Sequence, residues 1–216
     1  MMLSIGILIF DDVEILDFSG PYEVFSTAAR VYARLATAQT LFRCFLIADE
    51  MRPIRTRGGM KVLPDCVLLP SADIDVLIVP GGDVSEVLDN PAVINWIRTQ
   101  ARDATITASV CTGAFLLAKA GLLDGLHATT HWQDQDDMRA SFPAVTVRQD
   151  APWIDCGKVV TSAGIAAGID MSLHLVERLA GRQLANATAK QMEYRWNTHG
   201  TDNSAQTADS GLYFAA

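Results

Sequence analysis

Short apolar runs alternate with longer amphipathic stretches along nearly the whole chain. Ser4 to Phe10 is an almost unbroken apolar run, the pattern of a strand covered on both faces. Ser19-Gly20-Pro21 then opens a helix, with Ser19 as N-cap and Pro21 in its first turn, continued on one face by Val24, Ala28 and Val31. Leu41 to Ala48 reads as a second strand, and Arg57-Gly58-Gly59-Met60 as the turn between two short strands. Asp75 to Val79 is a further buried strand, ended by Pro80-Gly81-Gly82, and helices begin at Ser85 and at Asn90-Pro91. Thr105 to Val110 runs as a strand straight into Cys111-Thr112-Gly113, and a helix over Ala114 to Ala120 is stopped by Gly121. Ala128 to His131 is a short strand, and Val159 to Thr161 another that ends at Ser162-Ala163-Gly164. Ile165, Ile169, Leu173 and Val176 then fall on one face of a helix, and Leu184 to Trp196 forms a weaker one.

This alternation predicts an α/β fold, a largely parallel sheet with helices on both faces. Ligands of such sheets bind beyond the carboxyl ends of the strands. Pro80-Gly81-Gly82, Cys111-Thr112, His131 and Ser162-Ala163-Gly164 are all predicted at those ends, so the candidate chemistry lies along one edge. A length of 216 residues suits one domain, taken as residues 1–197, with 198–216 as a polar, loose tail.

Composition narrows the function classes. The 17 basic and 25 acidic residues leave a formal charge of −8, against a nucleic-acid or membrane-surface partner, both of which need clustered Lys and Arg. The apolar run Leu3–Phe10 is too short to span a membrane and has no basic region before it, so a cytoplasmic protein is expected. The four cysteines, at 44, 66, 111 and 156, show no metal-ligand spacing and no disulfide framework; no metal or organic cofactor is expected.

Cys111 is the centre of the candidate chemistry. A cysteine on a tight strand-to-helix turn is exposed to substrate as in a nucleophile elbow, and the positive end of the following helix favours its thiolate. Thr112, Gly113 and Ala114 are small enough for the turn to close, with Gly113 packing tightly on a neighbouring strand. A buried, inert cysteine is the competing reading, and it is preferred for Cys44, Cys66 and Cys156. Asp17 follows Val13, Ile15 and Leu16. Apolar surroundings would hold it protonated as a general acid, whereas a loop or N-cap carboxylate is the plainer reading. Gly81 and Gly82 expose backbone N–H groups suited to an oxyanion hole, or form an ordinary loop. His131 is a base for Cys111 or a packed histidine; His127 and His174 read as structural, and His199 lies in the tail. Trp132, Trp153 and Trp196 line a pocket or simply pack.

Five stretches, taken in order, resemble the ThiJ/PfpI superfamily of class I glutamine amidotransferase-like proteins. They are Ile15–Pro21, Val79–Gly82, Ser109–Gly113, Ala128–Trp132 and Gly164–Asp170. Within it the chain is most similar to isocyanide hydratase and to the amidotransferase-like domain of AraC-type regulators. The resemblance implies a flavodoxin-like three-layer sandwich, commonly a homodimer, with a nucleophile elbow. It implies Cys111 as nucleophile, Asp17 as the acid at its sulfur, and Thr112 as the residue shared with isocyanide hydratases. Gly81, Gly82 and the Thr112 N–H would supply oxyanion donors, and His131 would face the substrate. PfpI-type peptidases place His directly after the nucleophile; here Thr112 stands there, so the peptidase triad is not supported.

The implied reaction is that of a lyase acting on a small molecule: water adds to an isocyanide to give an N-substituted formamide. A redox- or ligand-sensing stress protein using reversible Cys111 oxidation is the alternative from another class, with glyoxalase-type hydration of methylglyoxal a third. A regulator would need a helix-turn-helix module, and no basic region follows residue 197.

Overall fold

The computed structural model describes residues 2–35, 40–69 and 73–202. In chain order these form β1 (Leu3–Leu8), α1 (Ile15–Leu35), β2 (Phe42–Ala48), β3 (Ile54–Arg55), β4 (Lys61–Val62), β5 (Cys66–Val67), β6 (Val76–Val79), α2 (Ser85–Leu88) and α3 (Pro91–Asp103). There follow β7 (Ile106–Val110), α4 (Gly113–Lys119), β8 (His127–Ala128), a 3₁₀ turn (Trp132–Asp134), α5 (Gln135–Ser141), β9 (Thr146–Val147), β10 (Trp153–Asp155) and β11 (Val159–Ser162). The chain continues through α6 (Ala167–Ala180), α7 (Arg182–Gln191) and β12 (Thr201–Asp202).

The main sheet has the order β12-β10-β11-β7-β6-β1-β2-β5. Every neighbouring pair is parallel except β10 with β11, so the sheet is mixed but mostly parallel. All residues of β6 and β7 are buried, as strands covered on both faces require. Helices α1, α6 and α7 pack on one another and form one cover; α2, α3 and α4 form the other. The predicted flanked, mostly parallel sheet is therefore the fold. The core runs through Ile5, Ile7, Phe25, Ile78 and Ile106, each at most 1% exposed.

Several boundaries differ from expectation for tertiary reasons. Helix α1 begins at Ile15, so Ser19 is not its cap and Pro21 lies inside it. Pro21 removes one helical donor, but the buried face Asp17, Phe18, Pro21, Val24 and Phe25 holds the helix against the sheet. Ile165 is not on the buried face of α6: it precedes the helix and is 38% exposed. The strand expected to reach His131 stops at Ala128, and His131 caps the 3₁₀ turn through its side chain. Helix α7 ends at Gln191, short of Trp196. Thr201 and Asp202 extend the sheet by pairing with β10, so ordered backbone continues past residue 197. Residues 203–216 of the expected tail lie outside the described residues. No helix among the described residues is long and apolar enough to cross a membrane.

Candidate functional site

Strand β7 ends where its neighbour β11 still supplies a partner. The Cys111 N–H donates to the Ser162 carbonyl at 3.1 Å, and the next step of the chain is a sharp turn: Cys111 has φ 57°. That left-handed conformation is uncommon for a residue with a Cβ and costs on the order of 1 kcal/mol or more. Two hydrogen bonds and one close approach hold it. The Cys111 carbonyl accepts the buried Thr130 hydroxyl at 2.8 Å and the Ala114 N–H at 3.3 Å. The next residue but one is Gly113, where any Cβ would overlap the Val79 carbonyl oxygen at the end of β6. The turn can close on β6 only because this position lacks a side chain.

The acid arrives from the opposite side. The loop before α1 is tied to the loop after β6: the Glu14 N–H donates to Gly81 O at 2.9 Å, and the Asp83 N–H donates to Asp12 O at 3.1 Å. This fixes the first turn of α1, and Asp17 within it is fully buried. Its Oδ2 accepts the Gly81 N–H at 3.1 Å; the Cys111 thiol is its other polar neighbour, and Oδ1 carries no conventional hydrogen bond. Burial, aided by nearby Glu14, pushes the carboxyl up to about 7, against the pull of the Gly81 and Cys111 hydrogen bonds.

The thiol is displaced too. Burial and the adjacent Asp17 charge push Cys111 up to about 12; hydrogen bonds from Thr112 act the other way but lose. This corrects the expectation that the helix end stabilises a resting thiolate. Helix α4 has only seven residues, and Cys111 is 6% exposed, beside a carboxyl group. Desolvation outweighs a short dipole.

The glycine pair also departs from expectation. Gly81 N–H is committed to Asp17, and Gly82 N–H donates to Thr112 Oγ1 at 2.9 Å. Thr112 returns the bond, its hydroxyl donating to Gly82 O at 2.9 Å. Neither glycine N–H is free to serve as an oxyanion donor; both glycines instead lock the acid and the elbow together. A Cβ at Gly81 would overlap the Thr112 hydroxyl and stand 2.5 Å from its nitrogen. Of the three donors expected, the Thr112 N–H is the one that faces the sulfur.

His131 lies on the third side. Gly164 separates it from the sulfur: a Cβ there would stand 2.8 Å from Cys111 Sγ and 2.6 Å from His131 Cδ2. The His131 Nδ1 sits 3.1 Å from Asp134 Oδ2. A cavity of about 410 Å³ opens over these groups, lined by Gly82, Cys111, Thr112 and His131. Val84, Leu88, Phe115 and Ile165 supply its apolar wall. Among the described residues no three of His, Cys, Asp and Glu converge as metal ligands.

The structure thus brings together Asp17, Gly81, Gly82, Cys111, Thr112 and His131. Gly164 and Thr130 belong with them; both lay in motifs read from the sequence, but neither was singled out. Asp134, Phe115 and Ile165 were missed, since only folding shows which surface acids and apolar side chains face the cavity. None of the three tryptophans lines it: Trp132 is 73% exposed, Trp153 stacks on His174 and Trp196 donates to Asp170 O. His174 is held by Asp155 at 2.7 Å. None of Cys44, Cys66, Cys111 and Cys156 is in a disulfide, and the first two are half-buried.

Comparison with known proteins came to the same region of sequence space. The profile of the DJ-1/PfpI family matches residues 3–178. The chain is 32% identical over 213 residues to an isonitrile hydratase of Pseudomonas putida, covering 98% of this chain and 87% of that one. It is 33% identical over 184 residues to the HTH-type transcriptional regulator CdhR of Pseudomonas aeruginosa, of whose length it spans 53%. A ThiJ/PfpI family protein from Pseudomonas syringae superposes with a TM-score of 0.79 at 24% identity, covering 91% of this chain and 77% of that one.

Proposed function

The chain belongs to the DJ-1/PfpI family, and from that premise we propose that it is a cysteine-dependent lyase that adds water to an isocyanide. The observation that carries this reading is the pairing of two buried groups: the strained Cys111 thiol and the Asp17 carboxyl raised to about 7. Similarity to an isonitrile hydratase over nearly the whole chain supports it.

Between about 7 and about 12 the pair holds one proton, and its two groups titrate as a unit. As sulfur attacks the terminal isocyanide carbon, the thiol proton passes to Asp17, which returns it to that same carbon. The product is a thioimidate, R–N=CH–S–Cys111. Water then adds across the C=N bond, its hydroxyl to carbon and its proton to nitrogen. The tetrahedral intermediate collapses to the formamide, R–NH–CHO; the C–S bond breaks, and the hydroxyl proton restores the pair. The apolar wall of Val84, Leu88, Phe115 and Ile165 receives the R group, and the His131 ring, placed by Asp134, orients the attacking water. No step requires a metal or an organic cofactor.

The test is incubation with cyclohexyl isocyanide, following the formamide by proton NMR, with methylglyoxal run in parallel. Formamide from the wild type and none from Cys111→Ala is the expected result. Turnover of methylglyoxal alone would replace this reading with glyoxalase-type hydration. Inertness toward both, with peroxide oxidising Cys111 selectively by peptide mass spectrometry, would replace it with redox sensing.

A further inference from the structure

The wall of the Cys111 cavity that faces solvent is charged, and its sign is one-sided. Among the described residues Glu14, Asp83, Asp134 and Asp137 line it, opposed by Arg57 alone. They come from four separate places in the chain: the loop before α1, the loop after β6, the 3₁₀ turn and α5. The β3–β4 turn carries Arg57 to the same rim. Three of the acids have hydrogen-bond partners: Glu14 accepts the Ile15 N–H at 3.2 Å, Asp83 accepts the Ser85 N–H at 3.1 Å, and Asp134 lies 3.1 Å from His131 Nδ1. The Ile15 and Ser85 bonds leave the Glu14 and Asp83 charges in place, because both donors are uncharged. Any ligand reaching the sulfur therefore passes four carboxyl groups and one guanidinium before it meets Cys111, beside which Asp17 is fully buried.

We propose that this cavity selects its substrate by charge: it admits cationic and neutral molecules to Cys111 and turns away those bearing a carboxylate, sulfonate or phosphate. The proposal rests on the reading of this cavity as the active site and adds the substrate class to it. An isocyanide taken here carries a neutral or amine-bearing R group. The overall charge of −8 adds a diffuse background of the same sign, but the selection comes from the rim. An ion pair at 4 Å in water is worth about 1 kcal/mol, and at roughly twice that distance about a twofold effect per net rim charge follows. Three net charges then give on the order of tenfold discrimination for each sign of ligand, collapsing toward parity in about 1 M salt.

The test uses three methanethiosulfonates of similar size, bearing a trimethylammonium, a methyl and a sulfonate end. Each transfers its alkylthio group to a cysteine sulfur and releases methanesulfinate. Rates at Cys111 are read by peptide mass spectrometry at low salt and divided by the rates of the same reagents with 2-mercaptoethanol. The expected order is cationic, neutral, anionic, with about tenfold per step. Asp137→Lys should shrink that spread several-fold. Asp103→Lys, an exposed change of equal charge at the far end of α3, should barely alter it. Equal normalised rates, an equal response to both variants, or failure of all three reagents to reach the sulfur would each overturn the proposal. The hydratase reading fails separately, if neutral isocyanides go unhydrated while the labelling order holds.

Discussion

Replacing Asp17 by asparagine should stabilise the protein above neutral pH, the reverse of what removing a charged active-site residue usually suggests. The carboxyl is fully buried, and its pKa rises from 3.8 to about 7 on folding. A raised carboxyl pKa means that the folded state binds the proton more tightly than the unfolded chain. Between pH 3.8 and about 7 the native protein keeps a proton that the unfolded chain has lost, so stability falls by about 1.4 kcal/mol per pH unit across that window. The full span is on the order of 4 kcal/mol, reached by pH 7 and constant above it. Asparagine has the same shape, can still accept the Gly81 N–H, and does not ionise. Urea unfolding of the two proteins from pH 4 to 8, compared at equal m-value, reads the difference directly. Asp17→Asn should match the wild type near pH 4 and exceed it by a few kcal/mol near pH 8. A difference that stays flat with pH, or one in which the wild type gains as pH rises, would refute the burial argument.

Other outcomes follow from the same geometry. The isocyanide kcat/KM should rise with pH through an apparent pKa near 7, as the doubly protonated pair loses its first proton; a rate that falls through 7 would mean the active form holds both. Gly164→Ala puts a methyl group against Cys111 Sγ and His131 Cδ2, so kcat should drop at least about tenfold with little loss of thermal stability, because only side chains must yield. Gly113→Ala instead meets the Val79 carbonyl and should cost about 3 kcal/mol or more by urea unfolding, among the larger effects of a point change. Thr130→Val leaves the buried Cys111 carbonyl without its hydroxyl donor. A loss of about 1–3 kcal/mol, with a fall in Cys111 alkylation rate relative to Cys66, is expected.

The division between what the sequence determined and what folding decided runs through particular residues. Period and punctuation along the chain sufficed for the mostly parallel sheet, for the start of α3 at Asn90-Pro91 and for the end of α4 before Gly121, because these are local properties of a few consecutive residues. The elbow was legible for the same reason: an apolar strand, a cysteine and three small residues leave the chain few ways to turn. The start of α1 was not legible, since a helix covering a sheet tolerates an internal proline that an isolated one would not. Neither was the resting state of Cys111. The helix-end argument is local and favours thiolate, whereas desolvation and the Asp17 carboxyl, 94 positions away in the chain by the numbering, favour thiol and prevail. The same holds for Gly81 and Gly82, whose donors look free in the sequence and are spent on Asp17 and Thr112 in the fold. Ile165 reads in the sequence as part of a helix face, and only the meeting of loops from distant segments brings it and the acids of the cavity rim to one opening. Sequence thus fixed the groups and their local geometry. Their charge states and the company they keep depended on long-range burial, which becomes defined only when the sheet assembles.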